Sequence, residues 1–118
     1  MPRFVILVHD HPFMHWDFLL EDGDRCRTWR LLVDPELSMH DFPAEAIPDH
    51  RMRYLDYEGP ISGQRGSVTQ WDSGTFQWRV NQPDVCEVLL SGQRWHGLIR
   101  MESTDAVHWK GSRQTSFE

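Results

Sequence analysis

The stretch RFVILVHDHPFMHWDFLLEDGDRCRTWRLL, residues 3–32, contains three short segments in which aliphatic and aromatic residues are frequent. Residues 3–8, 15–21 and 25–32 each have the length of one strand, and the Asp-Gly pair at residues 22–23 is a strong signal of a hairpin turn. Trp16, Phe18 and Leu20 alternate with more polar residues, so we expect these three to face the core. The chain is therefore predicted to begin with β-strands joined by tight turns.

Segments of the same kind recur between glycines and prolines along the rest of the chain. Further strands are predicted at residues 53–57, 67–71, 75–80, 86–91, 97–101 and 107–110. The segment WDSGTF (residues 71–76) is interpreted as strand, tight turn and strand, and LSGQRW (residues 90–95) as another turn. Three prolines in DPELSMHDFPAEAIPD, residues 34–49, favour a loop with at most one short helical turn. The pattern predicts a mainly all-β fold: a single-domain, closed or partly open β-barrel spanning residues 1–118, with short turns and one long irregular loop.

Composition narrows the class of protein. A net charge of −6 and a pI of about 5.6 argue against a protein that coats nucleic acid non-specifically, although they allow a local cationic site. No apolar run approaches the roughly 20 residues that cross a bilayer, and the short one at residues 4–8 does not resemble a signal peptide. Cys26 and Cys86 are too few for a disulfide framework. We expect a cytoplasmic monomer with reduced thiols and no membrane partner.

The first candidate site lies in HDHPFMHWDFLLE, residues 9–21. His15 and Asp17 are two residues apart in a predicted strand, so their side chains point to the same side, and the turn DHPFM brings His9 back towards them. Two imidazoles and one carboxylate form a facial triad that leaves positions open for water or substrate and that suits manganese, iron or zinc. Taken alone, this loose pattern favours the alternative of a half-exposed strand with two solvated histidines.

The second candidate cluster is DHRMRYLDYEG, residues 49–59, in which His50 stands just before a predicted strand that contains Tyr54. An imidazole titrates near neutral pH and can donate a proton or bind a phosphate. A polar strand face that ends in a turn at Gly59 explains the same residues without a site. No partner can be named for the remaining histidines, which are His11, His40, His96 and His108.

Taken together, these segments resemble the 3′-phosphoesterase domain found at the N-terminus of bacterial DNA ligase D and as stand-alone proteins. That family carries a signature similar to H-D-A-R-R-L-H-Y-D-F-R-L-E, and HDHPFMHWDFLLE keeps both histidines, the Asp-Phe pair and the closing Leu-Glu at the same spacing. DHRMRYLDYEG is identical to D-H-P-L-D-Y-L-D-F-E-G at seven of eleven positions. The family's Ser-Trp strand, V-x-x-W-D-x-G-T and L-x-G-x-x-x-x-G are matched in order by TW, VTQWDSGT and LSGQRWHG.

The resemblance covers nearly the whole chain and implies a compact β-barrel with its site on one open side. It implies a divalent metal, manganese with zinc or iron as alternatives, on His9, His15 and Asp17. His50 and Tyr54 match residues that face the scissile phosphate. The implied activity is hydrolysis at 3′ ends of DNA, or of DNA with a terminal ribonucleotide: the ribonucleotide is removed, and the remaining 3′-phosphate is then released. The implied partners are these ends and a separate ligase or polymerase.

Several cationic positions of the family differ here. Leu19 stands where the family has an arginine two residues after the metal-binding aspartate, and Val33 or Asp34 falls where it has a lysine. There is no Lys or Arg between Arg30 and Arg51. Charge-assisted hydrogen bonds are worth about 1.5–3 kcal/mol each, so these losses weaken phosphate binding unless other arginines replace them. The candidates to do so are Arg30, Arg51, Arg53 and Arg65.

Three functions stay open at this point. The leading one is a metal-dependent phosphoesterase that acts on nucleic-acid 3′ ends, with weakened phosphate binding. The alternative from another class is a non-catalytic barrel that uses the metal to bind a phosphate, a nucleic acid or a protein. A small oxygen-using metalloenzyme shares the ligand types alone. Arginines that converge on the metal would favour catalysis, and a neutral or acidic pocket would favour binding.

Overall fold

The computed structural model describes residues 1–37 and 40–114. Nine strands and one short 3₁₀ helix are described, in this order: β1 Arg3–His9, β2 His15–Asp22, β3 Arg25–Leu31, β4 Asp41–Arg51, the 3₁₀ helix Met52–Leu55, β5 Gly59–Pro60, β6 Ser67–Asn81, β7 Val85–Gly92, β8 His96–Ser103 and β9 His108–Gln114. Each strand pairs antiparallel with its neighbours in the order β1-β2-β3-β4-β9-β8-β7-β6-β5. An additional β1–β6 pairing closes eight strands into a barrel, and β5 extends the sheet from β6. The predicted all-β barrel is confirmed.

Strand β6 closes the barrel because its 15 residues serve two partners. Its first part pairs with β1 and its second part with β7. The register shifts between Ile6, which pairs with Asp72, and Leu7, which pairs with Gln70, so Trp71 is the extra residue of a bulge. A bulge bends and twists its strand, which lets β6 pass from one partner to the other.

The inward faces of the strands form an aromatic core. Phe18 and Leu20 are fully buried and the partly buried Trp16 packs against the same core cluster, as the alternation predicted. Phe18, Trp29, Phe42, Trp95 and Trp109 meet through ring centroids 5.3–6.3 Å apart. Large rings bury much area each, which gives a small barrel a continuous core.

A second apolar cluster lies on the outer side of β1 and β2. It consists of Val5, Leu7, Leu19, Cys26, Leu55 and Val68. Successive side chains of a strand point to opposite faces, so β1, with its apolar run FVIL, is apolar on both. The 3₁₀ helix contributes Leu55, while Tyr57 and Ile61 pack against the cluster. We call this the outer cluster; it fixes the segment that carries Tyr54 against the barrel wall.

Three predicted elements are wrong. Residues 34–49 do not form one irregular loop, because β4 begins at Asp41. The register beside Pro48 shifts so that Ile47 pairs with Thr28 and His50 with Cys26; Pro48 thus falls in a bulge, where a ladder N–H is not required. Residues 53–57 contain the end of the 3₁₀ helix and a turn rather than a strand.

The third wrong element is the turn in WDSGTF, where β6 continues without interruption. The backbones of β6 and β7 lie so close at this point that only a glycine fits, since a Cβ atom on Gly74 would lie 2.2 Å from the carbonyl oxygen of Ser91. The turns at EDGD and LSGQRW are confirmed: Gly23 has a φ of 70° between β2 and β3, and the Gly92 N–H donates to the Trp95 carbonyl between β7 and β8. Among the described residues, no helix is long and apolar enough to span a membrane.

Candidate functional site

Three predicted site residues converge on the outer face of the barrel at one end of β1 and β2. His9 ends β1 and pairs with His15, the first residue of β2, while Asp17 lies two residues further along the same face. His9 Nδ1 is 3.6 Å from Asp17 Oδ2, and His15 Nε2 is 3.3 Å from Asp17 Oδ1. The candidate ligand atoms all lie within 4.8 Å of one another. Antiparallel pairing across the turn thus brings the two imidazoles and the carboxylate together.

Backbone carbonyls determine which nitrogen of each imidazole carries a hydrogen. His9 Nε2 lies 2.8 Å from the carbonyl oxygen of Arg65, and His15 Nδ1 lies 2.9 Å from that of Phe13. A carbonyl oxygen only accepts, so these nitrogens donate, and the lone pairs of His9 Nδ1 and His15 Nε2 remain on the side of Asp17. Metal-binding histidines have this arrangement, in which the second nitrogen donates to a fixed acceptor.

The centre of the cluster contains polar atoms that a cation would satisfy. His15 is 2% and Asp17 3% exposed, and neither His15 Nε2 nor Asp17 Oδ1 has a hydrogen-bond partner in the described part of the chain. With Nδ1 donating to Phe13, neutral His15 has no proton for Asp17, so two acceptors face each other in a buried place. Two nitrogens and one oxygen suit manganese, iron or zinc, and these residues therefore fit a divalent metal.

Electrostatics at this cluster favour positive charge. Burial by itself lowers the pKa of His15. A protonated Nε2 would donate to the Asp17 carboxylate, however, and this hydrogen bond and the negative charge of Asp17 outweigh burial and raise the pKa above its ordinary value. The cluster therefore attracts a proton when no metal is bound, and proton and metal compete for the same lone pair.

An open groove of about 680 Å³ runs from the cluster along the barrel wall. Leu7 and Val68 of the outer cluster line it, together with the two predicted phosphate-facing residues, His50 and Tyr54. His50 Nδ1 donates to the Pro48 carbonyl at 3.0 Å, which leaves Nε2 as the nitrogen available to a ligand. The His50 and Tyr54 rings meet edge-on with centroids 5.8 Å apart.

Arginines give this groove its charge. Three predicted ones, Arg51, Arg53 and Arg65, line it. Arg25 lines it as well and was not among the predicted site residues. Among the described residues, the acids that line the groove are Asp17 and Asp49, so four arginines outnumber two carboxylates there in a chain whose net charge is −6.

The register explains the place of Arg25. Arg25 pairs directly with Arg51 across β3 and β4, and like charges at opposed positions destabilise a sheet unless an anion lies between them. The sequence prediction missed Arg25 because it treated the first part of β4 as a loop, and without that strand nothing places Arg25 beside Arg51. Arg53 is held by the rings of Tyr54 and Tyr57, at 5.4 and 4.8 Å from their centroids.

Arg30 is the one predicted phosphate-binding arginine that does not line the groove. It pairs with Asp17 across β2 and β3, and its guanidinium lies over the Phe13 ring, 5.6 Å from the centroid. Leu19 is on the same side of β2 as Asp17 but is completely buried in the outer cluster. The position of the family's arginine is thus filled by apolar packing.

Comparison with known proteins shows the family of this chain. The model of the DNA ligase D 3′-phosphoesterase domain matches residues 8–103, and the chain belongs to this family. The chain is also similar to the multifunctional non-homologous end joining protein LigD of Pseudomonas aeruginosa, with 29% identity over 114 residues. That match covers 83% of this chain but only 13% of the relative's length. The predicted family resemblance is confirmed.

Proposed function

We propose that this protein is a metal-dependent phosphoesterase that heals nucleic-acid 3′ ends: it removes a terminal ribonucleotide by releasing its nucleoside, which leaves a 3′-phosphate, and then removes this phosphate. One observation carries the proposal. In the His–His–Asp cluster, His15 and Asp17 are buried, and one ligand atom of each has no hydrogen-bond partner among the described residues; the cluster opens into a groove lined by four arginines. Arginine is suited to phosphate because its planar donors can make paired charge-assisted hydrogen bonds.

His9, His15 and Asp17 are proposed to hold the metal, with manganese preferred and zinc or iron as alternatives. A divalent cation bound there supplies Lewis-acid polarisation of a phosphoryl oxygen and a water of lowered pKa. The chain's own part is to hold the two imidazole lone pairs in place through the carbonyls of Arg65 and Phe13.

The groove residues are proposed to bind the phosphate and to move one proton. Arg25, Arg51 and Arg65 contact the non-bridging oxygens and orient the phosphorus for attack by water. When the bond from phosphorus to the leaving oxygen breaks, protonated His50 donates from Nε2 to that oxygen, while Pro48 holds Nδ1. Tyr54, whose ring contacts His50, donates its hydroxyl to the phosphate.

The proposed process and location follow from the same reasoning. The curated relative is named for non-homologous end joining, so we infer that this domain prepares ends for a ligase or polymerase. Ends of DNA, with or without a terminal ribonucleotide, are the proposed substrates. A single domain, a monomeric state and a cytoplasmic location stay predictions.

The test is a manganese-dependent assay on a labelled primer–template that ends in one 3′ ribonucleotide. Wild type should first release the nucleoside of the terminal ribonucleotide, which leaves a 3′-phosphate on the primer, and then release the phosphate. His50→Ala should lower kcat about 10²- to 10⁴-fold, which is the usual contribution of a general acid. His96→Ala is the matched control, because His96 is exposed on β8 and does not line the groove.

The same experiment separates catalysis from binding alone. Wild type that holds one metal ion per chain and binds the primer–template but releases no product would contradict the proposal and favour the non-catalytic barrel. Arginines at other positions line the groove where the family's arginine and lysine are absent. This favours catalysis over binding alone.

A further inference from the structure

Next to the metal cluster, the turn between β1 and β2 exposes an aromatic ring that the proposed mechanism does not use. Phe13 is 56% exposed, although a phenylalanine is usually buried. A single exposed apolar residue is ordinary, so its surroundings must decide whether it has a role. Its ring meets the His15 ring edge-on with centroids 5.6 Å apart, so it stands directly beside a proposed metal ligand.

The turn that carries Phe13 is held in place at both ends. The Phe13 carbonyl accepts from His15 Nδ1, and the Asp10 carboxylate accepts from the Ser67 N–H at 2.8 Å. The Arg30 guanidinium lies over the ring, and its Nε is a buried atom without a hydrogen-bond partner among the described residues. A ring held in this way loses little conformational entropy when a ligand stacks on it.

We propose that Phe13, backed by Arg30, is a stacking platform for the nucleobase of the nucleotide whose 3′ oxygen carries the reacting phosphate. This inference rests on the proposed function. Stacking on an aromatic ring accepts any base, because every base has a π-face. Arg30 adds a cation to the stack. It is not among the residues that line the groove, so the proposed phosphate contacts do not use it.

The arrangement gives each part of one nucleotide its own contact. The phosphate lies at the metal cluster and the arginine groove, and its base is joined to it through a single sugar. Phe13 is not among the residues that line the groove, but its ring lies 5.6 Å from the His15 ring, centroid to centroid, so a base one sugar away from a phosphate at the metal cluster can reach it.

The test uses two labelled primers that end in a 3′-phosphate, one with a normal last base and one with an abasic residue at that position. Phe13→Ala should raise KM for the normal primer by about fivefold to 150-fold, the range that loss of one base–aromatic stack produces. It should leave KM for the abasic primer and kcat for both primers unchanged. Phe13→Trp, which keeps an aromatic ring at this position, should have the wild-type KM for the normal primer.

Met14→Ala is the matched control, because Met14 is the next residue of the turn and is 62% exposed but has no ring. Metal content is measured for each variant, so that a disturbed His15 is recognised. An equal loss for both primers, or no loss for either, would overturn the platform.

Failure of the proposed function has a different signature. If wild type bound both primers with manganese but hydrolysed neither, phosphoesterase activity would be refuted. The difference in Kd between the normal and abasic primers, compared in wild type and Phe13→Ala, would still decide the platform.

Discussion

Leu19→Arg restores the family's arginine and tests the outer cluster most directly. Leu19 is 0% exposed and packs among Val5, Leu7 and Leu55. Forcing a larger side chain into a packed cluster costs about 1–3 kcal/mol, and an unpaired buried guanidinium adds several kcal/mol more. The expected loss of about 5 kcal/mol or more is comparable with the whole stability of a small domain, which is about 5–15 kcal/mol.

Urea unfolding followed by tryptophan fluorescence measures this loss. With a slope of about 1–3 kcal/mol per molar urea, the midpoint should fall by about 2 M or more, or the variant should be unfolded without urea. Leu19→Met keeps the volume and should cost less than about 1.5 kcal/mol. Thr69→Arg introduces the same charge at an exposed position of β6 and should change stability by less than about 0.5 kcal/mol.

One result would refute this reasoning. Leu7 and Val68 belong to the outer cluster and also line the groove, so a long side chain at position 19 has a route between them. A folded Leu19→Arg protein with the wild-type urea midpoint and faster hydrolysis would mean that the guanidinium reaches the phosphate. In that case the outer cluster would not close this position, and the absent arginine would be what limits the rate.

Three further substitutions test other parts of the structure. Asp17→Asn should abolish manganese binding in calorimetry and leave the circular dichroism unchanged, because its amide can donate to the unpartnered Nε2 of His15. Asp72→Ala should lower the unfolding free energy in urea by about 3 kcal/mol or more, since its buried carboxylate accepts four backbone N–H groups, one from Ser73 in β6 and three from residues 93–95 at the β7–β8 turn. Asp105→Asn should flatten the pH dependence of the unfolding free energy between about pH 2 and 4. Hydrogen bonds from backbone N–H groups, that of His108 first, lower the pKa of Asp105 to about 2. The contribution of this carboxylate to stability is therefore present above its ordinary pKa and disappears as the pH falls through 2.

Each of these has a clear contrary outcome. An unfolded Asp17→Asn protein would mean that this face of β2 is structural. An Asp72→Ala protein as stable as wild type would mean that water replaces the carboxylate at the turn. An Asp105→Asn protein that loses stability with acid as wild type does would assign the acid transition to other carboxylates.

Local patterns account for most of what the sequence predicted correctly. Alternation placed Phe18 and Leu20 in the core and Asp17 on the opposite face, because side-chain direction in a strand depends only on residue spacing. The Asp-Gly pair located the first hairpin for an equally local reason. His9, His15 and Asp17 come together because they are close in sequence across one turn.

What the sequence alone did not reveal depends on which strands become neighbours. Pro48 indicated a loop, yet it lies in a β4 bulge whose existence depends on pairing with β3. Arg25 joins the groove through that same pairing, and Leu19 is buried because the distant Leu55 folds over it.

The sequence by itself therefore determined most strands of the barrel and the grouping of the proposed metal ligands, since both follow from residue spacing within short stretches. The tertiary structure alone decided that four arginines from three segments line one groove and that the family's arginine position is closed by apolar packing. These features arise from contacts between residues far apart in the chain. Such contacts are set by register, bulges and burial, which no local pattern records.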